Sequence, residues 1–181
     1  MTTNETVELK PKKRKNSKVK GNTFELKVAK LLSNELAPLN FIRVPNSGAR
    51  VGGVNFGKIG GKFSLDSLNI FVGDVVAVNE TDVGITCKVS IECKSYSTPD
   101  SFTTLIGRTS KIYGWMKESE VDAVKTGKVP VLIFKWNNTP MFLASPALPD
   151  EITIMRLSRN EGGDIKICLL DDGLKLKSFW C

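Results

Sequence analysis

Glu92 and Lys94 stand two residues apart in "VSIECKSYS" (89–97), and a lone carboxylate, Asp74, interrupts the apolar run "IFVGDVVAV" (70–78). With a strand's two-residue alternation, Ile85, Cys87, Val89, Ile91 and Cys93 fall on one face of "GITCKVSIECK". Thr86, Lys88, Ser90, Glu92 and Lys94 fall on the other. Glu92 and Lys94 then project about 6.6 Å apart along a polar face. A buried carboxylate in a second strand needs a cation or several donors as partners, and Gly73 beside it suggests a bend or a close backbone approach. If the two strands pair, Asp74 and Glu92 can converge on one point. Two convergent carboxylates suit Mg²⁺, which takes oxygen ligands and keeps waters for substrate phosphates. Lys94 would add positive charge beside a phosphoryl oxygen. The plain alternatives are a solvated strand face for Glu92 and Lys94, and a turn or capping aspartate at position 74.

Composition narrows the chemistry. The 181-residue chain has no histidine, which removes serine–histidine and cysteine–histidine catalysis and histidine-bound transition metals. Its four cysteines, Cys87, Cys93, Cys168 and Cys181, form no CxxC pair, so they read as buried reduced thiols rather than zinc ligands. No segment reads as a membrane span or a signal peptide, and an intracellular location, cytoplasm or nucleoid, is expected. The net charge of +7 is concentrated at one end: residues 1–20 hold seven Lys/Arg against two Glu. Residues 1–19 therefore read as a disordered basic tail. Lys12, Lys13, Arg14 and Lys15 in "PKKRK" could bind DNA phosphates, solubilise the chain or act as a nuclear import signal.

Elements that could position the site follow from periodicity. "KGNTFELKVAKLLSNEL" carries Phe24, Val28, Leu31, Leu32 and Leu36 at helical spacing, with Asn22 as N-cap and Glu25 at N3 of a capping box. "NFIRV" reads as a strand ending at Pro45. "NSGARVGGVNFGKIGGK" is too glycine-rich for a regular element and reads as a long loop. The next two runs are strands, joined by a turn near Asn79 to Gly84. Ser101 to about Thr126 reads as one helix, with Trp115 in its core face. "VPVLIFKW" and "PMFLAS" form a hairpin, and "EITIMRL" and "DIKICLL" are two further short strands. The order gives a mixed α/β (α+β) domain over residues 20–181.

G-D-V-V at 73–76 followed by I-E-C-K at 91–94 resembles the signature of the PD-(D/E)xK nuclease superfamily. Further segments resemble its archaeal-type and phage Holliday-junction resolvases: an opening "KG...FE" helix (Lys20, Gly21, Phe24, Glu25) and an R-x-x-x-S-G segment in "RVPNSG" (Arg43, Ser47, Gly48). They also include a Trp-bearing helix, "YGWMKESEVDA", and a proline-introduced strand, "KVPVLIFKW". The resemblance spans about residues 20–145, leaving 146–181 as extra C-terminal strands. It implies a restriction-endonuclease-like core with a mixed central sheet flanked by helices. It further implies Asp74 and Glu92 as metal ligands, Lys94 as the catalytic lysine and Glu25 as an acidic residue joining the metal through water. Arg43 and Ser47 would lie beside the scissile phosphate.

The activity so implied is Mg²⁺-dependent DNA cleavage, with Mn²⁺ able to substitute, most specifically of four-way junctions, by a homodimer and without a nucleotide cofactor. A restriction-like or repair endonuclease on duplex, and a non-catalytic DNA-binding module, are the competing readings. Two departures stand out. The Ser47-to-Asp74 spacing is long, making Asp66 a rival acid, and Glu118 occupies the place where many superfamily members have a helix glutamine. "GGVNFGK" (52–58) has a P-loop's glycines but Ile59 where Ser/Thr is required. Arg50, Lys58 and Lys62 in this loop are candidate backbone contacts to DNA.

Overall fold

Two eight-residue strands, Val89–Tyr96 and Val129–Trp136, pair along their whole length at the centre of the fold and must be covered on both faces. The computed structural model describes residues 17–45 and 72–181. The elements in chain order are α1 (Ser17–Glu35), β1 (Phe41–Arg43), β2 (Val75–Ala77), α2 (Glu80–Val83) and β3 (Val89–Tyr96). They continue with α3 (Phe102–Ile106), α4 (Lys111–Thr126), β4 (Val129–Trp136) and β5 (Phe142–Ser145). A 3₁₀ turn (Asp150–Ile152), β6 (Met155–Leu157), β7 (Ile165–Leu169), α5 (Leu170–Gly173) and α6 (Lys177–Trp180) complete the described chain.

The strands form one mixed sheet in the order β1-β2-β3-β4-β5-β7-β6. All pairs are antiparallel except β3 and β4, which run parallel from Val89↔Val129 to Tyr96↔Trp136. A parallel neighbour requires a crossover, and α3 with α4 supplies it. Val131, Leu132, Ile133 and Phe134 of β4 are all buried, the continuous apolar run expected of a strand covered on both faces. Pro130 lies ahead of Leu132, where pairing with β5 begins, so its missing N–H falls before that ladder.

Two cores flank the sheet. On one side Phe24, Val28, Ala29, Leu32 and Leu36 of α1 pack on Val75, Val89, Ile91, Cys93, Val131 and Ile133. On the other side Ile112, Trp115 and Met116 of α4 pack on Leu132, Phe134, Ala144 and Ile167. Trp115 is buried, as helical spacing implied. Truncating a fully buried leucine such as Leu32 would cost about 2–5 kcal/mol through lost transfer energy and the cavity left behind. The mixed sheet flanked by helices is the expected fold class.

Local departures have physical causes. Helix α1 already runs at Ser17, ahead of the boundary drawn at residue 20, and Asn22 lies inside it rather than capping it. The side chain that could have closed a capping box instead accepts a hydrogen bond from Arg43. The segment Asn79–Gly84 contains the short helix α2, closed by Gly84 at φ +67°, rather than a bare turn. Strand β3 starts at Val89, not at Ile85. The helix expected over 101–126 is divided. Ser101 caps α3, Arg108 takes φ +56°, and Ser110 caps α4 by accepting from the Ile112 N–H. Asp100 reinforces that second cap by accepting from the Ser110 hydroxyl and the Lys111 N–H.

Residues 146–181 hold more than extra strands: α5 and α6 close the α1-side core, with Trp180 fully buried and its indole N–H donating to the Gly173 carbonyl at 2.9 Å. Both helices are four residues long, too short to show a period in sequence.

Candidate active site

The β2–β3 junction brings Asp74 and the Glu92–Lys94 pair into one place. Gly73 permits it. Its φ is +90°, and a Cβ there would lie 2.8 Å from the Ile91 carbonyl oxygen, so only glycine allows the chain to press this closely on β3. The Asp74 N–H then donates to the Ile91 carbonyl at 2.8 Å, and Val75 pairs with Ile91. On the other side the Asp74 carbonyl accepts from the Val44 N–H at 2.9 Å, tying the site to the end of β1. The buried Asp74 carboxylate accepts from the Cys93 N–H at 2.9 Å.

On β3 the alternation places Glu92 and Lys94 on the face toward α4, while Ile91 and Cys93 enter the α1-side core. Ser90, on the polar face, is nonetheless buried. Lys94 Nζ lies 2.8 Å from Glu92 Oε1 and 2.8 Å from Glu118 Oε2 on α4. Burial lifts the Glu92 carboxyl to about 8, the Asp74 charge adds to the rise, and Lys94 only partly opposes it. Burial works against the Lys94 ammonium, but Glu92 and Glu118 outweigh it and its pKa rises. The contact with two carboxylates thus favours the charged form of Lys94, while burial disfavours the charged form of Glu92.

Glu25 reaches this region from α1. Its Oε2 accepts from Arg43 Nε at 2.5 Å, and Arg43 Nη2 donates to Asn22 Oδ1 at 2.8 Å. Burial raises the Glu25 pKa, Arg43 opposes that, and the Asp74 charge adds to the rise. Burial is the larger cause at both glutamates, and the Asp74 charge adds to the rise at each. Among the described residues, no three His, Cys, Asp or Glu side chains stand as one cluster able to hold a metal ion. Glu25 is turned to Arg43, so Glu25, Asp74 and Glu92 do not form a single ligand set. Asp74 and Glu92 fit a hard divalent cation by their oxygen chemistry and by the repulsion such a charge would relieve.

Of the residues expected at the substrate, Arg43 is described and is engaged with Glu25 and Asn22. Ser47, Arg50, Lys58, Lys62, Lys12, Lys13, Arg14 and Lys15 lie outside the described residues, as do Asp66 and the "GGVNFGK" run. Two contacts escaped sequence reasoning. Asn22 as the holder of Arg43 was hidden by a stronger local signal, the capping box. Glu118 as a partner of Lys94 was signalled by its position three residues after Trp115, which puts it near the sheet-facing side of the helix.

Residues 16–162 match a family model described as "Phage putative PDDEXK endonuclease". Among solved structures the chain is similar to Hjc, a Holliday junction resolvase of the archaeal hyperthermophile Archaeoglobus fulgidus. Identity is 15%, the match covers 84% of this chain and 85% of that one, and the TM-score is 0.38. No curated protein matches the chain.

Proposed function

The chain belongs to the phage PDDEXK endonuclease family, and we propose that it is a divalent-cation-dependent DNA endonuclease that cuts four-way junctions as a homodimer. The observation that carries the reading is the pairing of Asp74 with Glu92 beside Lys94. Burial and the Asp74 charge lift Glu92 to about 8, and a divalent cation is the partner that relieves this repulsion. Asp74 and Glu92 would hold the cation, with Mg²⁺ the physiological choice and Mn²⁺ a substitute. When bound it would acidify a water and neutralise phosphoryl oxygens. Lys94 would stand against a non-bridging oxygen of the scissile phosphate, stabilising charge as the 3′ oxygen departs. Asp74 fixes the geometry, because its carboxylate and its backbone N–H are both bonded to β3. Junction preference and a two-fold dimer are supported by the resemblance of "KG...FE", "RVPNSG" and the E-x-K strand to junction resolvases; symmetric nicks need two sites related by symmetry.

The test is incubation of the full chain with labelled four-way junction, linear duplex and single strand, in Mg²⁺ or in EDTA. Symmetric Mg²⁺-dependent nicks confined to the junction are expected. Cleavage of linear duplex would replace junction resolution with a duplex endonuclease. Binding without cleavage in Mg²⁺ and Mn²⁺ would overturn the catalytic reading.

A further inference from the structure

Lys94 does not face Glu92 alone. Its ammonium sits 2.8 Å from Glu92 Oε1 and 2.8 Å from Glu118 Oε2, so one cation bridges β3 and α4. The two partners are unequal. The Glu92 side chain is 13% exposed and that of Glu118 is 61%, so Glu118 reaches Lys94 from the solvent-exposed margin of the helix face that meets the sheet. Any cation that binds Glu92 must displace Lys94 from it or share it. Lys94 then needs somewhere else to stay, or it will compete for the same carboxylate.

We propose that Glu118 is a positioning residue for Lys94: it retains the ammonium on the α4 side of the site when a divalent cation takes Glu92. The inference rests on the proposed endonuclease reading and extends it to a residue outside the D…E-x-K set. α4 is well placed to hold Glu118 steady. Its first turn is capped by Ser110 and Asp100, and Trp115, three residues earlier, is packed between Tyr96 and Phe134 at ring-centroid distances of 4.8 and 6.3 Å. An exposed ion pair contributes little to stability, so the gain lies in where Lys94 is kept.

The experiment is calorimetric titration of Mg²⁺ into wild type, Glu118→Ala, Glu118→Gln, Lys94→Ala and the Glu118→Ala/Lys94→Ala double variant, each checked by thermal melting. The double variant closes a cycle that isolates action through Lys94. Glu118→Ala should weaken Mg²⁺ binding about fivefold where Lys94 is present, and less than twofold where it is absent. Glu118→Gln keeps an acceptor for Lys94 and should recover part of the loss. In single-turnover cleavage Glu118→Ala should lower the rate about tenfold while junction affinity in Ca²⁺ stays within twofold. An unchanged Mg²⁺ affinity in Glu118→Ala would overturn the inference. So would an equal loss with and without Lys94, which would make Glu118 a general negative charge or a ligand. A wild-type protein that neither binds Mg²⁺ nor cleaves would overturn the endonuclease reading itself, and the role of Glu118 with it.

Discussion

The carboxylate of Asp74 accepts a hydrogen bond from the backbone N–H of Cys93, at 2.9 Å, and so is fastened to the peptide that joins Glu92 to Cys93. The residue following Gly73 is thereby locked in register with the E-x-K strand, whose cysteine side chain points into the opposite core. Asp74 therefore has a structural duty as well as the proposed metal-binding one, and substitutions can separate them.

Asp74→Asn keeps an oxygen that can accept from Cys93 but removes the charge. It should fold with a melting temperature near wild type, bind junction DNA, and cleave at least a hundredfold more slowly. Asp74→Ala also strands a buried N–H, which costs about 1–3 kcal/mol. Thermal melting beside single-turnover cleavage checks both, and normal cleavage by Asp74→Asn would remove Asp74 from the reaction.

Gly73→Ala tests the backbone that sets this register. A Cβ at φ +90° is strained, and 2.8 Å from the Ile91 carbonyl oxygen it also collides with backbone that cannot swing aside. The expected loss is about 2–3 kcal/mol by denaturant unfolding, with cleavage falling further than stability because Asp74 moves. A variant as stable and active as wild type would show that the junction relaxes freely.

Asp74, Glu92 and Lys94 were legible because alternation and an intruding carboxylate are local signals, and the pairing of β2 with β3 needed only a short connection. The order of helices and strands indicated a mixed α/β (α+β) domain, and the helical stretch after β3 is the crossover that the parallel β3–β4 pair requires. What sequence concealed was tertiary competition. Asn22 has every local feature of an N-cap, yet its amide oxygen is taken by Arg43, eighteen residues beyond Glu25, which Arg43 also holds. The break between α3 and α4 rests on Asp100 reaching Ser110 and Lys111, which no periodicity records. The closure of the α1-side core by Trp180 likewise depends on helices too short to show a pattern.

Removing residues 1–16 tests the basic segment without touching α1. If Lys12, Lys13, Arg14 and Lys15 meet phosphates, each lost contact should flatten the slope of log K against log salt by about 0.9 on duplex arms. The cleavage rate at saturating protein should be unchanged. Binding isotherms at several salt concentrations decide it, and an identical slope in the shortened chain would assign those residues no phosphate contact.

Glu92 makes stability depend on pH in a direction opposite to that of an ordinary paired carboxylate. Its folded pKa is raised from 4.5 to about 8, by burial first and the Asp74 charge next. The folded chain therefore holds this proton more tightly than the unfolded chain does. Its contribution is fully present below about pH 4.5 and is lost as pH rises through about 8, by an amount on the order of a few kcal/mol. Glu92→Gln removes the ionisation, so the stability difference between wild type and variant should shift in the variant's favour across that window. Unfolding midpoints in denaturant at pH 5, 6.5 and 8 measure it. Saturating Mg²⁺ should recover wild-type stability most at pH 8, since the cation replaces the proton as the partner of Glu92. Below pH 8 Mg²⁺ binding should release a proton, visible as a binding heat that varies with the ionisation enthalpy of the buffer. A wild-type curve parallel to that of Glu92→Gln, with no proton released, would mean that Glu92 is already ionised in the free protein and that the Asp74–Glu92 repulsion does not drive cation binding.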